Sequence, residues 1–421
     1  MVFRVPIPKH SPFTLHNIPF GVISTESNPQ KRCAIAIGDY ALDLPLYLER
    51  ILLLPSDHRR RRRHRLDEMF GRVFSEPSLN SFAAFPWSQR RDIRNHLIEA
   101  ISEGSVPESC FVPMDQVRMH LPLRIGGYAD FFCSLEHCQN CSIMTGGTKD
   151  NFHHSPMVYN GRASSVVASP TPVRRPNGVT WDTGKGSGEK PVYGASKKMD
   201  FELEMGYFVS KPVEFGDTMS IEDAREHIFG FVLLNDWSSR DIQAFEMPPL
   251  GPFHSKGFGT SISPWVVTLD ALQPFACSPK HDHSATEFEH LRWKDRAVGT
   301  FDIRLRASLI RNGERHRITS SNMRWLYWTP YQQLAHHASA GCGLETGDLL
   351  GSGTISGDNE GELGCLFEAT MDGANEMELK GGGKLGYLED GDEIVLEGWC
   401  GEGEERVGFG ECRGVLLPAT C

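Results

Sequence analysis

Phe201-Glu202-Leu203-Glu204-Met205 alternates apolar and acidic residues with a period of two. A strand has that period, and it puts Glu202 and Glu204 on one face with Phe201, Leu203 and Met205 on the other. The two carboxylates then point the same way, about 7 Å apart at Cα from the strand rise. On the solvent face of an antiparallel sheet such a pair is harmless. Crowded to about 5 Å in a site, it repels by about 3 kcal/mol at an effective dielectric near 20, and a cation removes that cost. Oxygen-only ligands suit Ca2+ or Mg2+ rather than zinc or copper.

The sequence on either side keeps to the β reading. The 421 residues include 42 Gly and 26 Pro, which favours turns and short strands over helical bundles. Phe231–Leu234, Glu393–Leu396 and Arg406–Phe409 read as strands, with helices expected near 222–228 and 330–339 and a loop by composition over 171–192. Towards the N-terminus, Phe20–Ile23 and Cys33–Ile37 read as strands separated by the turn signal Ser27-Asn28-Pro29. Helical stretches follow at about 42–54 and 87–103. The division is a small N-terminal domain, 1–118, and a mainly β C-terminal domain, 119–421. Arg59-Arg60-Arg61-Arg62-Arg63-His64-Arg65 matches a nuclear-localisation or phosphate-binding patch, but like-charge blocks of this kind generally are solvated, self-repelling insertions.

Composition narrows the function. The formal charge of 43 − 54 = −11 argues against nucleic acid or an anionic membrane as a partner of the whole surface. Runs such as Ile51–Pro55 and Phe231–Leu234 fall far short of the roughly 20 apolar residues that span a bilayer. The first residues hold Pro6, Pro8 and Pro12 and no continuous apolar core, so no secretory signal is expected. An odd count of 11 cysteines fits reduced thiols and a cytoplasmic location.

Two further stretches carry chemistry. In Asn235-Asp236-Trp237-Ser238-Ser239-Arg240-Asp241-Ile242-Gln243, a helical turn after the Phe231–Leu234 strand would put Asp236, Arg240 and Gln243 on one face. The plainer reading is an i,i+4 surface ion pair. Asp130-Phe131-Phe132-Cys133-Ser134-Leu135-Glu136-His137 adds a carboxylate and a histidine, the side chain best suited to moving a proton at neutral pH, although a lone histidine is commonly structural. Cys133, Cys138 and Cys141 match part of an iron–sulfur spacing, but the next cysteine is Cys277. There is no G-x-S-x-G elbow, H-E-x-x-H helix or Walker A loop. Gly351-Ser352-Gly353-Thr354-Ile355-Ser356-Gly357 misses the dinucleotide spacing and reads as a tight turn presenting N–H groups and Thr354.

Taken together, these segments resemble the fumarylacetoacetase family almost end to end. The matching stretches include Pro19–Thr25, Gly161-Arg162-Ala163-Ser164-Ser165, Glu202–Met205, Asn235–Gln243, Pro249–Phe253, Phe258–Trp265, Gly353–Gly357 and Arg406–Gly410. The resemblance implies a mainly β fold with some α, an SH3-like N-terminal barrel followed by a large C-terminal β-roll, in a homodimer. It implies Ca2+ held by Asp130, Glu202, Glu204 and Asp236, and a Mg2+ site near Asp236, Lys256 and Thr260. His137 would be the general base, held by Glu368, with Arg240, Gln243 and Lys256 as the oxyanion site. Tyr159 and Thr354 would touch substrate. Phe132 stands where the family has a substrate-binding tyrosine, and Gly146, near Lys149, where it has an arginine for the substrate carboxylate. The implied reaction is metal-dependent hydrolysis of a C–C bond in a 1,3-diketone acid, fumarylacetoacetate to fumarate and acetoacetate, the last step of tyrosine and phenylalanine catabolism. The alternatives are a divergent relative acting on a less acidic 1,3-dicarbonyl (a retro-Claisen hydrolase, decarboxylase or tautomerase) and a non-catalytic binding protein.

Overall fold

The computed structural model describes residues 4–52, 73–145, 150–182, 190–282 and 288–420. The arginine run at 59–65, Gly146 and Lys149 lie outside the described residues. No helix among the described residues is long and apolar enough to cross a membrane.

The N-terminal strands are β1 (Phe20–Ser24), β2 (Arg32–Ile37), β3 (Tyr40–Asp43), β4 (Phe111–Pro113) and β5 (Arg118–His120), in one five-stranded antiparallel sheet ordered β4-β3-β2-β1-β5. Helices Leu44–Leu52 and Trp87–Ser102 lie where the pattern places them.

The central sheet carries the site. Its strands in chain order are β6 (Tyr128–Phe132), β7 (Met157–Asn160), β8 (Val166–Ala168), β9 (Leu203–Val209), β10 (Ile228–Asp236), β11 (Thr260–Ile262) and β12 (Leu349–Gly351). They pair in the order β7-β6-β12-β9-β10-β11-β8, with Val267–Thr268 also on β10. β9 and β10 are buried throughout, and the strand alternation, shifted by one residue at the irregularity where Val209 meets Ile228, divides their side chains between two cores. Leu203, Met205, Tyr207, Phe231 and Leu233 pack with Leu305, Ala307, Leu396 and Phe409 of the C-terminal sheet. Phe208, Phe229, Val232 and Leu234 pack with Phe20, Val22, Ile35 and Phe82 of the N-terminal unit. Sandwiched in this way, the central sheet is fixed from both sides, and so are the side chains at its strand ends.

Several expectations are corrected. The 171–192 segment is not a plain loop: Asn177–Asp182 and Lys190–Ala195 pair antiparallel, and Val173–Arg174 runs parallel to the end of Val407–Leu417. The helix near 222–228 is a 3-10 turn, Ile221–His227, feeding directly into β10. Asp236 ends β10, and the helix Arg240–Leu250 begins only after it. Asp236, Arg240 and Gln243 therefore do not share a helical face. Arg240 is buried, and its partners are Asp200 and Glu202, so the surface Asp236–Arg240 pair is also absent.

Candidate active site

Register brings the acids together. Asp130 on β6 lies opposite Tyr159 on β7 and beside Gly351 on β12, and Asp236 on β10 lies opposite Thr260 on β11. Phe201, Leu203 and Met205 join the core, while Glu202 and Glu204 turn to the other face and are buried there. Ligand oxygens of Asp130, Glu204 and Asp236 all lie within 4.8 Å of one another. Glu202 sits beside this cluster with its oxygens taken by Arg240 Nη1 at 2.7 Å and Lys256 Nζ at 2.6 Å. Lys256 Nζ also reaches Asp236 Oδ2 and the Ser238 hydroxyl, both at 2.7 Å. Thr260 Oγ1 is 3.4 Å from Asp236 Oδ1. The Tyr159 hydroxyl is 3.0 Å from Asp130 Oδ2 and 2.9 Å from Asp236 Oδ2, and its single proton serves one of them at a time.

Burial and mutual repulsion set the electrostatics. Burial, then Asp236, pushes the Asp130 carboxyl well above the usual range. Burial, then Asp130 and Asp236, does the same to Glu204. Burial raises Asp236 against the opposing pull of Lys256. Burial works the same way on Glu202, but Lys256 and Arg240 outweigh it and hold that group ionised.

The residues fit a divalent cation. Among the described residues, Asp130 Oδ1 and Glu204 Oε1 are buried with no hydrogen-bond partner. The carboxylates close over a bare glycine: a Cβ on Gly351 would lie 2.4 Å from Asp130 Oδ1 and 3.2 Å from Glu204 Oε2. Orphaned, desolvated, like-charged oxygens are costly unless a cation neutralises them, and an all-oxygen set suits a hard ion.

The second group is built on two helical turns. His137, on the helix Leu135–Thr145, places Nδ1 2.7 Å from Glu368 Oε2, on the turn Leu366–Ala369. Glu368 also accepts from Asn140 Nδ2 at 2.9 Å and the Ser356 hydroxyl at 2.8 Å. With Nδ1 engaged by Glu368, Nε2 is the nitrogen left to take a proton, and the Cys141 Sγ lies 3.7 Å from it. Burial works against the imidazolium, but Cys141 and Glu368 outweigh it and raise the His137 pKa well above 6.5. The Phe132 ring stands edge-on to the imidazole, 5.1 Å between centroids.

Arg240 Nη1 donates to Gln243 Oε1 at 3.1 Å, which fixes the amide of Gln243. Among the described residues, Thr354 Oγ1 is buried without a partner, on the turn where Gly353 N donates to Glu204 Oε2 at 3.0 Å. Asp200, Asn140 and Ser356 were not singled out from the sequence. Asp200 had a signal: the apolar–acidic alternation extends back through Met199-Asp200.

Comparison with known proteins shows the family. Residues 16–122 match the family model described as Fumarylacetoacetase N-terminal, and residues 127–416 match Fumarylacetoacetate (FAA) hydrolase C-terminal. The fumarylacetoacetase of Bos taurus is 42% identical over 433 residues, covering 99% of this chain and 98% of its own. That of Homo sapiens is 41% identical over 434 residues, with coverage of 99% and 98%. That of Arabidopsis thaliana is 40% identical over 429, with coverage of 97% and 96%. Among solved structures, Fumarylacetoacetate hydrolase (EaFAH) from Exiguobacterium antarcticum aligns with a TM-score of 0.52 at 15% identity, over 96% of this chain and 100% of that one. The Cg1458 complex with inhibitor gives 0.53 at 15%, with the same coverage. At that identity the structures show the fold alone. Fold, site and relatives define a hydrolase of carbon–carbon bonds in ketonic substances. The chain belongs to the fumarylacetoacetase family.

Proposed function

We infer that the protein hydrolyses fumarylacetoacetate to fumarate and acetoacetate. The observation that carries this is the buried His137–Glu368 pair in a chain that aligns over nearly its whole length with fumarylacetoacetases of animals and plants.

Cutting a C–C bond in a 1,3-diketone requires water to add to one carbonyl. His137, its Nδ1 held by Glu368, takes the proton of that water at Nε2. The resulting oxyanion needs fixed donors and positive charge, which Arg240, Lys256 and the amide nitrogen of Gln243 supply, Lys256 by its charge because its three protons go to Glu202, Asp236 and Ser238. The leaving carbon departs as an enolate, and the His137 imidazolium returns a proton to it. Asp130, Glu204 and Asp236, with Glu202 as the fourth ligand, would hold Ca2+, with Asp236, Lys256 and Thr260 beside a Mg2+ site. A divalent ion bound there supplies Lewis-acid stabilisation of enolate oxygens. Four carboxylates leave it a formal charge of −2, which Arg240 and Lys256 balance. Tyr159, Thr354 and Phe132 serve as substrate contacts. Phe132 retains an apolar wall against His137 without a hydroxyl to donate.

The same reading includes a cytoplasmic homodimer, an N-terminal unit 1–118 of SH3-like barrel type and a catalytic β-roll 119–421. The divergent-substrate alternative is not favoured, because identity of about 40% extends over the full chain.

The test is turnover of fumarylacetoacetate against neutral acylpyruvate-like diketones, by the parent and by His137→Ala. The parent should prefer fumarylacetoacetate. His137→Ala should lose about 100-fold or more in kcat with its metal content unchanged. Unchanged turnover in that variant removes His137 as the base. Preference for a neutral diketone moves the protein to the divergent reading, and metal uptake without turnover makes it a binding protein.

A further inference from the structure

Asp200 is fully buried, next to the site yet outside the acidic cluster. It lies on the short strand Met199–Asp200, which pairs with Ser238–Ser239 immediately before Arg240. Its carboxylate is saturated by donors from three segments. Oδ1 accepts from Phe201 N at 2.8 Å and Leu366 N at 2.7 Å. Oδ2 accepts from Phe367 N at 2.9 Å and Arg240 Nε at 2.8 Å, and Arg240 Nη2 lies 2.8 Å from it.

Both ends of this arrangement bear on the chemistry. Arg240 Nε donates to Asp200 Oδ2, Nη2 faces the same oxygen as an ion pair without a hydrogen bond of its own among the described residues, and Nη1 is aimed at Glu202 and Gln243. The face of the guanidinium is closed by the Phe367 ring, 5.3 Å from its centroid. The turn Leu366–Ala369 has no side-chain cap of its own. Asp200, from a distant strand, satisfies the N–H groups of Leu366 and Phe367 that an uncapped helix start leaves orphaned. The next residue is Glu368, which orients His137.

We propose that Asp200 is a positioning residue that locks the oxyanion-binding Arg240 and the Glu368-bearing turn into one register, so that base and oxyanion donors are set by a single buried carboxylate. This rests on the roles given above to Arg240 and Glu368. The Asp200 oxygens are taken by Phe201, Leu366, Phe367 and Arg240 and lie outside the acidic cluster, so its effect belongs in kcat, through geometry.

The experiment measures kcat, KM, metal per chain and melting temperature for the parent, Asp200→Ala, Asp200→Asn, Arg240→Ala and the double variant Asp200→Ala/Arg240→Ala, each with and without formate. Asp200→Ala should lower kcat about 100-fold, as loss of an oxyanion donor does. KM should stay within about threefold and metal per chain should not change. The double variant should be no more than about threefold worse than Arg240→Ala, because the two residues act as one unit. Formate should restore part of kcat in Asp200→Ala and none in Arg240→Ala. Retention of kcat within about threefold in Asp200→Ala, or a loss that multiplies in full with that of Arg240→Ala, overturns the proposal. So does failure of both Asp200 variants to fold without rescue by formate, which assigns Asp200 to stability alone. If Arg240→Ala itself is unimpaired, the reading of the oxyanion site fails instead.

Discussion

At the scale of single residues, His137 shows how neighbours set chemistry. Its pKa is raised against the effect of burial by Cys141 and Glu368. A base must be neutral to accept a proton, so activity should fall as pH drops through a value above 6.5. Glu368→Gln removes one of the anions that raise it. That variant should move the acidic limb of kcat/KM to lower pH while lowering the plateau, because the imidazole loses its orienting partner. A pH–rate profile reads both effects, and a limb that stays in place would separate Glu368 from the base. Much of the site was legible residue by residue. The alternation at Glu202–Glu204 put two carboxylates on one face, and the structure turns both inward. That Glu204 joins Asp130 and Asp236 while Glu202 is engaged by Arg240 and Lys256 depends on contacts between distant strands, which no local pattern encodes. The pairing of His137 with Glu368 spans 231 positions and was available only through family resemblance.

At the scale of elements, strands and turns were readable where their signals were local. β1, β2 and the helix Pro330–Ala338, with its capping box at Thr329, follow their patterns. The 171–192 stretch misled because Gly, Pro and Lys there concealed the hairpin Asn177–Asp182/Lys190–Ala195, which packs Trp181 on Phe245 of the Arg240 helix. The turn after β12 makes a sharper demand. Gly353 has φ +78°, and a Cβ there would lie 2.3 Å from the Phe131 carbonyl of β6, the strand that carries Asp130. Gly353→Ala should therefore destabilise the fold by about 1–3 kcal/mol and weaken metal binding, since β6 must shift. Urea unfolding and a Ca2+ titration check this. Stability and affinity equal to the parent's would show that the contact relaxes at no cost.

At the scale of the molecule, the central sheet concentrates acidic side chains where they are buried, and two packed layers keep them there. Asp130 and Glu204 have carboxyl pKa values raised well above normal. In the metal-free protein the folded state then binds more protons than the unfolded chain above the usual carboxylate range, so its stability falls as pH rises through that window. A divalent ion bound at the ionised carboxylates would offset that cost. The rise in melting temperature on adding Ca2+ or Mg2+ should be larger at pH 8 than at pH 5.5, as thermal unfolding at the two pH values would read. An equal rise at both would place binding elsewhere. The central claim is that this carboxylate cluster and the His137–Glu368 pair form one working site for fumarylacetoacetate, and steady-state turnover of that substrate through chelation and stepwise metal return tests it most directly. The account predicts loss of turnover on chelation and recovery that saturates as the cluster fills. Full turnover by chain freed of metal would contradict it.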